Sequence, residues 1–217
     1  MNAKLTPSKP LLFLLYGSPG SGKTYFSRQL AEVLQCAHVQ TDRIRAELFE
    51  RPTYNDEENG IVNHLAEYMA EEFLGSGVSV ILDSNADRLT SRQRLRNMAR
   101  SRKAQPVLVW LQTDFESAYA RLNRRDRRKA DDKYSAEYSP EQFRHAISRM
   151  QNPKNEDFSV LSGKHTFGSQ KNMIMRKLME MGLLTKPVES GITKPGLVNL
   201  IPHGGRVDHS RRNIVIR

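Results

Sequence analysis

An apolar run followed at once by a glycine-rich loop is the feature that most restricts the fold of this chain. Residues 11–16 read LLFLLY after Pro10 and predict a strand buried on both faces. The next residues fulfil the pattern G-x-x-x-x-G-K-[ST]: Gly17, Ser18, Pro19, Gly20, Ser21, Gly22, Lys23 and Thr24. Apolar residues then recur at helical spacing and predict a helix over 23–35. Strand, loop and helix together indicate a parallel α/β unit rather than a glycine turn with a surface lysine.

Each residue type in this loop suits the binding of a polyphosphate. Glycines permit backbone conformations in which successive N–H groups point inward at phosphate oxygens, and the following helix adds the positive end of its dipole. Lys23 is expected to bridge the β- and γ-phosphates, and the Thr24 hydroxyl is expected to bind Mg²⁺. The predicted ligands are therefore ATP and magnesium.

The rest of the chain repeats the alternation of strand and helix as far as residue 184. Further strands are predicted at 37–40, 78–83, 106–111 and 158–161, and further helices at 41–49, 61–74, 88–102, 115–125, 140–150 and 168–182. The segment 51–60 is predicted as a polar turn region. Residues 185–217 differ in composition and predict a basic C-terminal tail or arm beside a single domain over 1–184.

Composition restricts the cellular setting more than the activity. The single cysteine, Cys36, excludes an intramolecular disulfide framework and favours a reducing cytoplasm. The sequence shows neither a signal segment nor a membrane span, so we expect a cytoplasmic protein without membrane contact. The net charge of +10 favours phosphorylated ligands or nucleic acid. Much of it comes from residues 92–103 and 121–129, which are either solvated helical faces or contact surfaces.

The strand end at Asp83 separates three classes of nucleotide-binding protein. Asp83 can hold Mg²⁺, but Ser84 follows it, where a motor ATPase commonly has a glutamate that activates water. The sequence also contains no Asn-Lys-x-Asp motif of the kind that reads guanine in GTPases. Because the sequence lacks both the glutamate and the guanine-reading motif, it favours transfer of the phosphoryl group to an acceptor over hydrolysis.

A candidate acceptor site follows the second predicted strand. Asp42 and Arg45 are three residues apart, so they share one face of the predicted helix close to the phosphate loop. Transfer to a hydroxyl needs a carboxylate that orients the hydroxyl and takes its proton, with cations around the moving phosphoryl group. Taken alone, Asp42 is also a candidate N-cap of the helix.

At this point the chain resembles the small P-loop kinases related to zeta toxins and 5′-hydroxyl polynucleotide kinases, often grouped with AAA-type ATP-binding proteins. The resemblance covers about 11–182 and rests on GSPGSGKT (17–24), TDRIRAELF (41–49), VILDSNADRLTSRQRL (80–95) and RLNRR (121–125). It implies a P-loop NTPase three-layer sandwich, with a parallel sheet of about five strands and helices on both faces.

The resemblance also implies roles for individual residues. Asp42 corresponds to the general base and Arg45 to the arginine that contacts the acceptor or its phosphate. The third motif maps the family's Asp-x-Asn strand end onto Asp83 and Asn85, with Arg92 as a downstream arginine. The arginine-rich motif corresponds to a lid at about 121–139. Arg121 and Arg125, or Arg124 and Arg128, are spaced as pairs on one helical face and are candidates for contact with the phosphates.

The sequence leaves the acceptor open. A nucleic-acid 5′-hydroxyl is favoured by the net charge and the basic helix, whereas the same scaffold accepts sugars, nucleotide sugars and antibiotics. Tyr54, Tyr134 and Tyr138 are candidates for stacking on a nucleic acid strand, although no interleaved pattern of basic and aromatic residues occurs. A third hypothesis is that the protein is a nucleotide-dependent switch without a dedicated acceptor. We interpret the six histidines, including His38, as structural.

Overall fold

The computed structural model describes residues 4–84, 86–126, 128–129 and 132–184. In these ranges the chain forms five strands and seven helices that alternate along most of its length. In order they are β1 (Leu11–Tyr16), α1 (Lys23–Val33), β2 (Cys36–Gln40), α2 (Thr41–Leu48), α3 (Asp56–Gly75), β3 (Ser79–Asp83), α4 (Leu89–Ser101), β4 (Gln105–Gln112), α5 (Phe115–Asn123), α6 (Pro140–Ser148), β5 (Ser159–Ser162) and α7 (Phe167–Glu180). The predicted tail at 185–217 lies outside the described residues, so the domain boundary at 184 stays a prediction.

The five strands form one parallel sheet in the order β2-β3-β1-β4-β5. β1 lies in the middle, where Leu12 aligns with Val80 of β3 and Leu14 aligns with Leu108 of β4. All six residues of β1 are buried, as the unbroken apolar run predicts for a strand covered on both faces. The predicted α/β fold with a five-stranded parallel sheet is confirmed.

Alternate residues of β1 belong to two separate hydrophobic cores, which makes the sandwich three layers thick. Leu11, Phe13 and Leu15 pack on the side of α1 and α7, and Leu12, Leu14 and Tyr16 pack on the side of α3 and α4. A third, smaller cluster joins α5 to α6 through Ala118, Leu122 and Phe143. The helices α5 and α6 are thus held by their own contacts beside the carboxyl ends of the strands.

Two of the element boundaries that differ from the sequence prediction affect the site region. Helix α3 begins at Asp56 instead of near Ile61, because Asn55 caps it by accepting a hydrogen bond from the Glu58 N–H at 2.8 Å. Three acidic residues then occupy its first turn, where the helix dipole favours negative charge. Helix α5 ends at Asn123 rather than 125, so the predicted lid segment is not a continuous helix in its described residues.

Several arginines on and directly after α4 pair with acidic residues of the same chain. Arg94 pairs with Glu67, Arg102 with Glu71 at 3.0 Å, and Arg96 with Glu156 at 3.2 Å. Of the two interpretations of this helix, these pairs favour a solvated helical face over a contact surface, since the Arg94 and Arg102 side chains remain 65 % and 43 % exposed. None of the helices in the described ranges has the length and apolar character needed to cross a membrane.

Arg92 is the most deeply buried charged side chain of α4. It is 0 % exposed, its Nη2 donates to Glu156 Oε1 at 2.7 Å, and its Nη1 donates to the Ala86 carbonyl oxygen at 2.8 Å. Its guanidinium also lies over the Tyr16 ring, 5.3 Å from the ring centroid. Arg92 therefore ties the loop after β3 to the segment before β5, instead of facing the phosphate loop as a free cation.

We predict that Arg92→Ala lowers the free energy of unfolding by about 3–5 kcal/mol, because it leaves Glu156 charged and buried without this partner. The matched control is Arg94→Ala on the same helix. Since the Arg94 side chain is 65 % exposed, its loss should cost only about 0–1 kcal/mol. Chemical denaturation of both variants measures the difference. If the two variants lose equal free energy of unfolding, the buried pair of Arg92 and Glu156 has no special role in stability.

Candidate active site

The phosphate loop joins the carboxyl end of β1 to the first residue of α1. Gly20 and Gly22 have φ angles of +79° and +97°, a region that favours glycine. A Cβ atom on Gly20 would lie 2.2 Å from the Ala118 carbonyl oxygen, so the loop and α5 approach each other at this glycine. Gly22 is the N-cap of α1 and supplies no side-chain cap to the first N–H groups of that helix. These N–H groups suit phosphate oxygens.

Lys23 lies at the centre of a group of charged side chains. Its Nζ donates to the carbonyl oxygens of Gly17 at 2.7 Å and Ser18 at 3.1 Å. Burial lowers the pKa of Lys23 to about 8, while Asp83, Asp42 and Asp87 oppose this shift and Arg125 adds to it. Three other residues predicted for the site, Asp42, Asp83 and Arg125, therefore lie near enough to Lys23 to affect its charge.

Asp87 is an acidic residue near the site that the sequence pattern did not single out. It lies four residues beyond the end of β3, close enough to act on the charge of Lys23. Its carbonyl oxygen accepts a hydrogen bond from the Gln151 N–H at 2.8 Å, which fixes the loop after β3. The sequence signal that could have indicated Asp87 is its position as a second aspartate, four residues after Asp83. Asn85, predicted from the family motif, lies outside the described residues.

Asp83 ends β3 and is held by two residues near the start of α2. Its side chain is 5 % exposed, and its Oδ2 lies 3.3 Å from Nε2 of His38. The Thr41 hydroxyl donates to the Asp83 carbonyl oxygen at 3.2 Å. His38, interpreted from sequence as structural, therefore contacts a predicted metal ligand. The parallel pairing of β2 with β3, which aligns Gln40 with Asp83, explains the contact.

Asp42 lies in the first turn of α2, and Gln40 is the N-cap of this helix. The alternative in which Asp42 is itself the cap is therefore wrong, because α2 begins one residue earlier, at Thr41. Burial and the nearby Asp83 carboxylate raise the pKa of Asp42, while Arg125, Arg45 and Lys23 act in the opposite direction. The side chain is a carboxylate among cations, with increased proton affinity.

Arg45, one turn further along α2, is buried in contacts with α3. It forms an ion pair with Glu58, its Nη2 donates to Asn59 Oδ1 at 2.7 Å, and its guanidinium lies 4.6 Å from the centroid of the Tyr54 ring. Its Nε is buried and has no hydrogen-bond partner among the described residues. The predicted acceptor contact of Arg45 stays a prediction, but most of its charge is already compensated.

The two predicted lid arginines occupy different environments. The Nη1 of Arg121 lies 3.9 Å from the position that a Cβ on Gly22 would take, so Arg121 reaches the phosphate loop from α5. Arg125 lies beyond the end of α5, and its Nη1 donates to the Ala136 carbonyl oxygen at 2.8 Å. The predicted pairing of these two on one helical face is wrong, because the helix ends at Asn123. Arg124 and Arg128 also lie beyond the end of the helix, so the prediction that they share a helical face is wrong. Arg128 instead forms an ion pair with Asp126 at 2.9 Å.

The donor set for magnesium is small. In the described ranges no three His, Cys, Asp or Glu side chains form a group that could hold a metal ion. Mg²⁺ in phosphoryl-transfer sites is usually bound by one or two protein oxygens, phosphate oxygens and water. The half-buried Thr24 and the buried Asp83 suit such a site.

Comparison with known proteins agrees with this geometry. Residues 12–153 match the family model described as the AAA domain. The chain belongs to this family. A search of curated proteins gave no match.

Several solved structures resemble the chain, and two of the following three are kinases. An APS kinase from Mycobacterium tuberculosis, solved with AMPPNP and APS, is 18 % identical with a TM-score of 0.59, and the match covers 80 % of this chain and 99 % of that one. A gluconokinase from Sinorhizobium meliloti 1021 is 16 % identical with a TM-score of 0.56 and coverages of 80 % and 93 %. Chaetomium thermophilum Kti12, solved with ADP-AlF3, is 18 % identical with a TM-score of 0.59 and coverages of 82 % and 100 %. At these identities the likeness shows the fold, which is the predicted P-loop kinase fold.

We predict that Gly20→Ala destabilises the protein more than Gly77→Ala does. Both glycines have nearly the same positive φ, +79° and +80°, so each substitution carries the cost of about 1–2 kcal/mol for the left-handed conformation. A Cβ on Gly77 would meet no described atom within 4 Å, whereas one on Gly20 would collide with Ala118. Denaturant unfolding of the two variants isolates the collision. Equal free energies of unfolding would contradict the close contact between the loop and α5.

Proposed function

We propose that this protein is a kinase that transfers the γ-phosphoryl group of ATP to a hydroxyl of an acceptor. The observation that carries the proposal is the convergence of Asp42 with Lys23 beside the phosphate loop. A half-buried carboxylate whose pKa is raised, within electrostatic range of a phosphate-binding lysine, suits transfer to a hydroxyl. A protein that only hydrolyses ATP commonly has a water-activating glutamate directly after the strand that ends here at Asp83, and this chain has Ser84 at that position.

In this proposal the residues Gly17 to Thr24 bind the phosphates of ATP. The N–H groups of the loop and of the start of α1 donate to phosphate oxygens, and Lys23 exchanges its contacts with Gly17 and Ser18 for the β- and γ-phosphates. Arg121 is close enough to Gly22 to contact the same phosphates from α5. Arg125 contributes positive charge on the side of Asp42.

Thr24 and Asp83 are the residues that would hold Mg²⁺, which neutralises phosphate charge during transfer. His38 contacts the Asp83 carboxylate and Thr41 binds the Asp83 main chain, so both fix the direction of this ligand. The Asp83 side chain is already oriented by the fold, which lowers the cost of binding an ion there.

The transfer step is a simple displacement at phosphorus. The acceptor oxygen forms a bond to the γ-phosphorus as the bond from this phosphorus to the β,γ-bridging oxygen breaks, and ADP leaves. The acceptor hydroxyl proton passes to the Asp42 carboxylate. Lys23, Arg121 and Arg125 balance the negative charge that spreads over the moving phosphoryl group. The raised pKa of Asp42 improves its capacity as a base.

Two classes of acceptor are compatible with this mechanism. One is the 5′-hydroxyl of a nucleic acid, supported by the net charge of +10. The other is a small molecule such as a sugar, a nucleotide sugar or an antibiotic, supported by the ion pairs that several arginines on and directly after α4 form within the chain. Transfer to an acceptor hydroxyl is common to both.

We predict that Asp42→Asn lowers the rate of transfer by about 100- to 10,000-fold, the usual contribution of a general base. The assay follows labelled γ-phosphate into a panel of 5′-hydroxyl oligonucleotides and small hydroxyl compounds. The matched control is Glu47→Gln on the same helix, because the Glu47 side chain is 67 % exposed and should leave transfer unchanged. Release of inorganic phosphate alone, at a rate that Asp42→Asn does not alter, would contradict the kinase proposal and favour a nucleotide switch.

We also predict that affinity for the β,γ-imido analogue of ATP falls as the pH rises above about 8. Lys23 has a pKa of about 8 in the free protein, whereas phosphate contact favours its protonated form. Affinity should therefore fall by up to about tenfold per pH unit above that value. In Lys23→Arg the guanidinium stays charged, so the decline should disappear. Calorimetric titrations between about pH 7 and about pH 9.5 measure it, and a flat wild-type profile would overturn the assignment to Lys23.

A further inference from the structure

The ring of Tyr54 lies beside the candidate acceptor site, on the segment between α2 and α3. Tyr54 is 42 % exposed although the Arg45 guanidinium lies 4.6 Å from the centroid of its ring. Asp42 and Arg45 occupy adjacent turns of α2. The ring is thus connected through one side chain to the helix that carries the proposed base.

The main chain at Tyr54 adopts a conformation that is unfavourable for an aromatic residue. Its φ angle is +58°, in the left-handed region. Glu58 stabilises it, because Oε2 accepts hydrogen bonds from the Thr53 N–H at 2.6 Å, the Thr53 hydroxyl at 2.8 Å and the Tyr54 N–H at 3.2 Å. Asn59 Nδ2 donates to the Tyr54 carbonyl oxygen at 3.0 Å. The first turn of α3 therefore holds this ring in one orientation.

The positive charge behind the ring is compensated by the same glutamate. Glu58 forms an ion pair with Arg45 and is buried. Burial alone would raise the pKa of Glu58, but the hydrogen bonds from Thr53, Arg45 and Tyr54 together lower it to about 2, so the carboxylate stays ionised. A neutralised guanidinium attracts a phosphate weakly. What the pair presents to a ligand is a fixed aromatic surface.

A second tyrosine approaches from the lid side. Tyr138 is half-buried, packs against the cluster that joins α5 to α6, and lies near enough to feel the charges of Asp42, Arg125 and Arg45. Tyr54 is among the smaller causes that raise the pKa of Tyr138, after burial and Asp42. Tyr138 therefore lies near the carboxylate that would take the acceptor proton, and Tyr54 is joined to the same helix through its contact with Arg45.

We propose that Tyr54 is a stacking surface for a nucleobase of the acceptor, and that this stacking directs a ribose hydroxyl toward Asp42. This inference rests on the proposed kinase function and narrows its acceptor to a nucleoside or to the nucleoside at a nucleic acid end. An aromatic ring held rigidly loses little entropy when a planar base stacks on it. A sugar without a base offers no comparable planar surface.

The test compares ligands that differ only in the base. The full chain is saturated with the β,γ-imido analogue of ATP and magnesium, which keeps nucleosides out of the phosphate loop. One pair of probes is a 5′-hydroxyl thymidine trinucleotide and the same trinucleotide with an abasic first residue. The other pair is adenosine and methyl ribofuranoside. Calorimetry gives the ratio of affinities within each pair.

We expect the base to strengthen binding by roughly 5- to 150-fold in at least one pair. Tyr54→Ala should bring this ratio close to one, and Tyr54→Phe should preserve it. Tyr54→Gly also removes the ring and accepts the positive φ angle, so it separates loss of stacking from strain in the loop. Tyr68→Ala is the control, because Tyr68 is a 56 % exposed tyrosine of α3 and should leave the ratio unchanged.

Each outcome has one meaning. If the base strengthens binding only in the trinucleotide pair, the acceptor is a nucleic acid end. If it does so only in the pair of adenosine and methyl ribofuranoside, the acceptor is a free nucleoside. Both results support the proposal. A ratio near one in the wild-type protein for both pairs, or a ratio that survives Tyr54→Ala and Tyr54→Gly, overturns it. The kinase proposal fails separately, through the absence of labelled transfer to every acceptor. If labelled phosphate is transferred to a sugar while the ratio of affinities with and without a base is near one, the kinase proposal stands and the stacking proposal is contradicted.

Discussion

The parallel pairing of β1 with β3, and of β3 with β2, is the constraint on which the candidate site depends. Parallel strands end at the same edge of a sheet, so the residues that follow them meet there although they are far apart in sequence. Lys23 follows β1, Asp42 follows β2 and Asp83 ends β3. The register that aligns Gln40 with Asp83 sets the distance between the proposed base and the proposed metal ligand. A shift of one residue would reverse the faces of the strand and separate them.

The charged side chains in the interior and at the candidate site fall into two groups, those with a direct ion-pair partner and those without one. Arg92 with Glu156, and Arg45 with Glu58, are pairs in which each charge has a direct partner. Asp42 instead lies beside another carboxylate and has no ion pair among the described residues, and Lys23 contacts main-chain oxygens. Uncompensated charges of this kind have shifted pKa values and are characteristic of sites that bind charged ligands or move protons. The same distinction explains why basic residues on α4 contribute to the fold while Lys23 is available for a nucleotide.

The sequence predicted the sheet, the phosphate loop and the convergence of Lys23, Asp42 and Asp83, because apolar runs and glycine spacing depend on local geometry. It did not predict the start of α3, because Asn55 and Glu58 stabilise that turn through one hydrogen bond that the hydrophobic pattern does not reveal. The paired arginines of the lid were wrong for a similar reason, since the end of α5 at Asn123 interrupts a favourable charge spacing. The contact of His38 with Asp83 was not predicted, because it joins residues of two neighbouring strands. Contacts between distant segments leave little trace in local periodicity.

The residues that would select the acceptor lie outside the regular elements of the sheet. The phosphate loop and Asp83 are fixed by strands, and their geometry suits any hydroxyl that reaches Asp42. Tyr54 and Tyr138 instead belong to connecting segments, and Tyr54 keeps its position through Glu58, Arg45 and Asn59 rather than through strand pairing. Such segments change without disturbing the sheet, so one scaffold can serve kinases with different acceptors. In the proposed acceptor site, the ion pair with Glu58 would make Arg45 the support of an aromatic surface rather than a cation that binds phosphate.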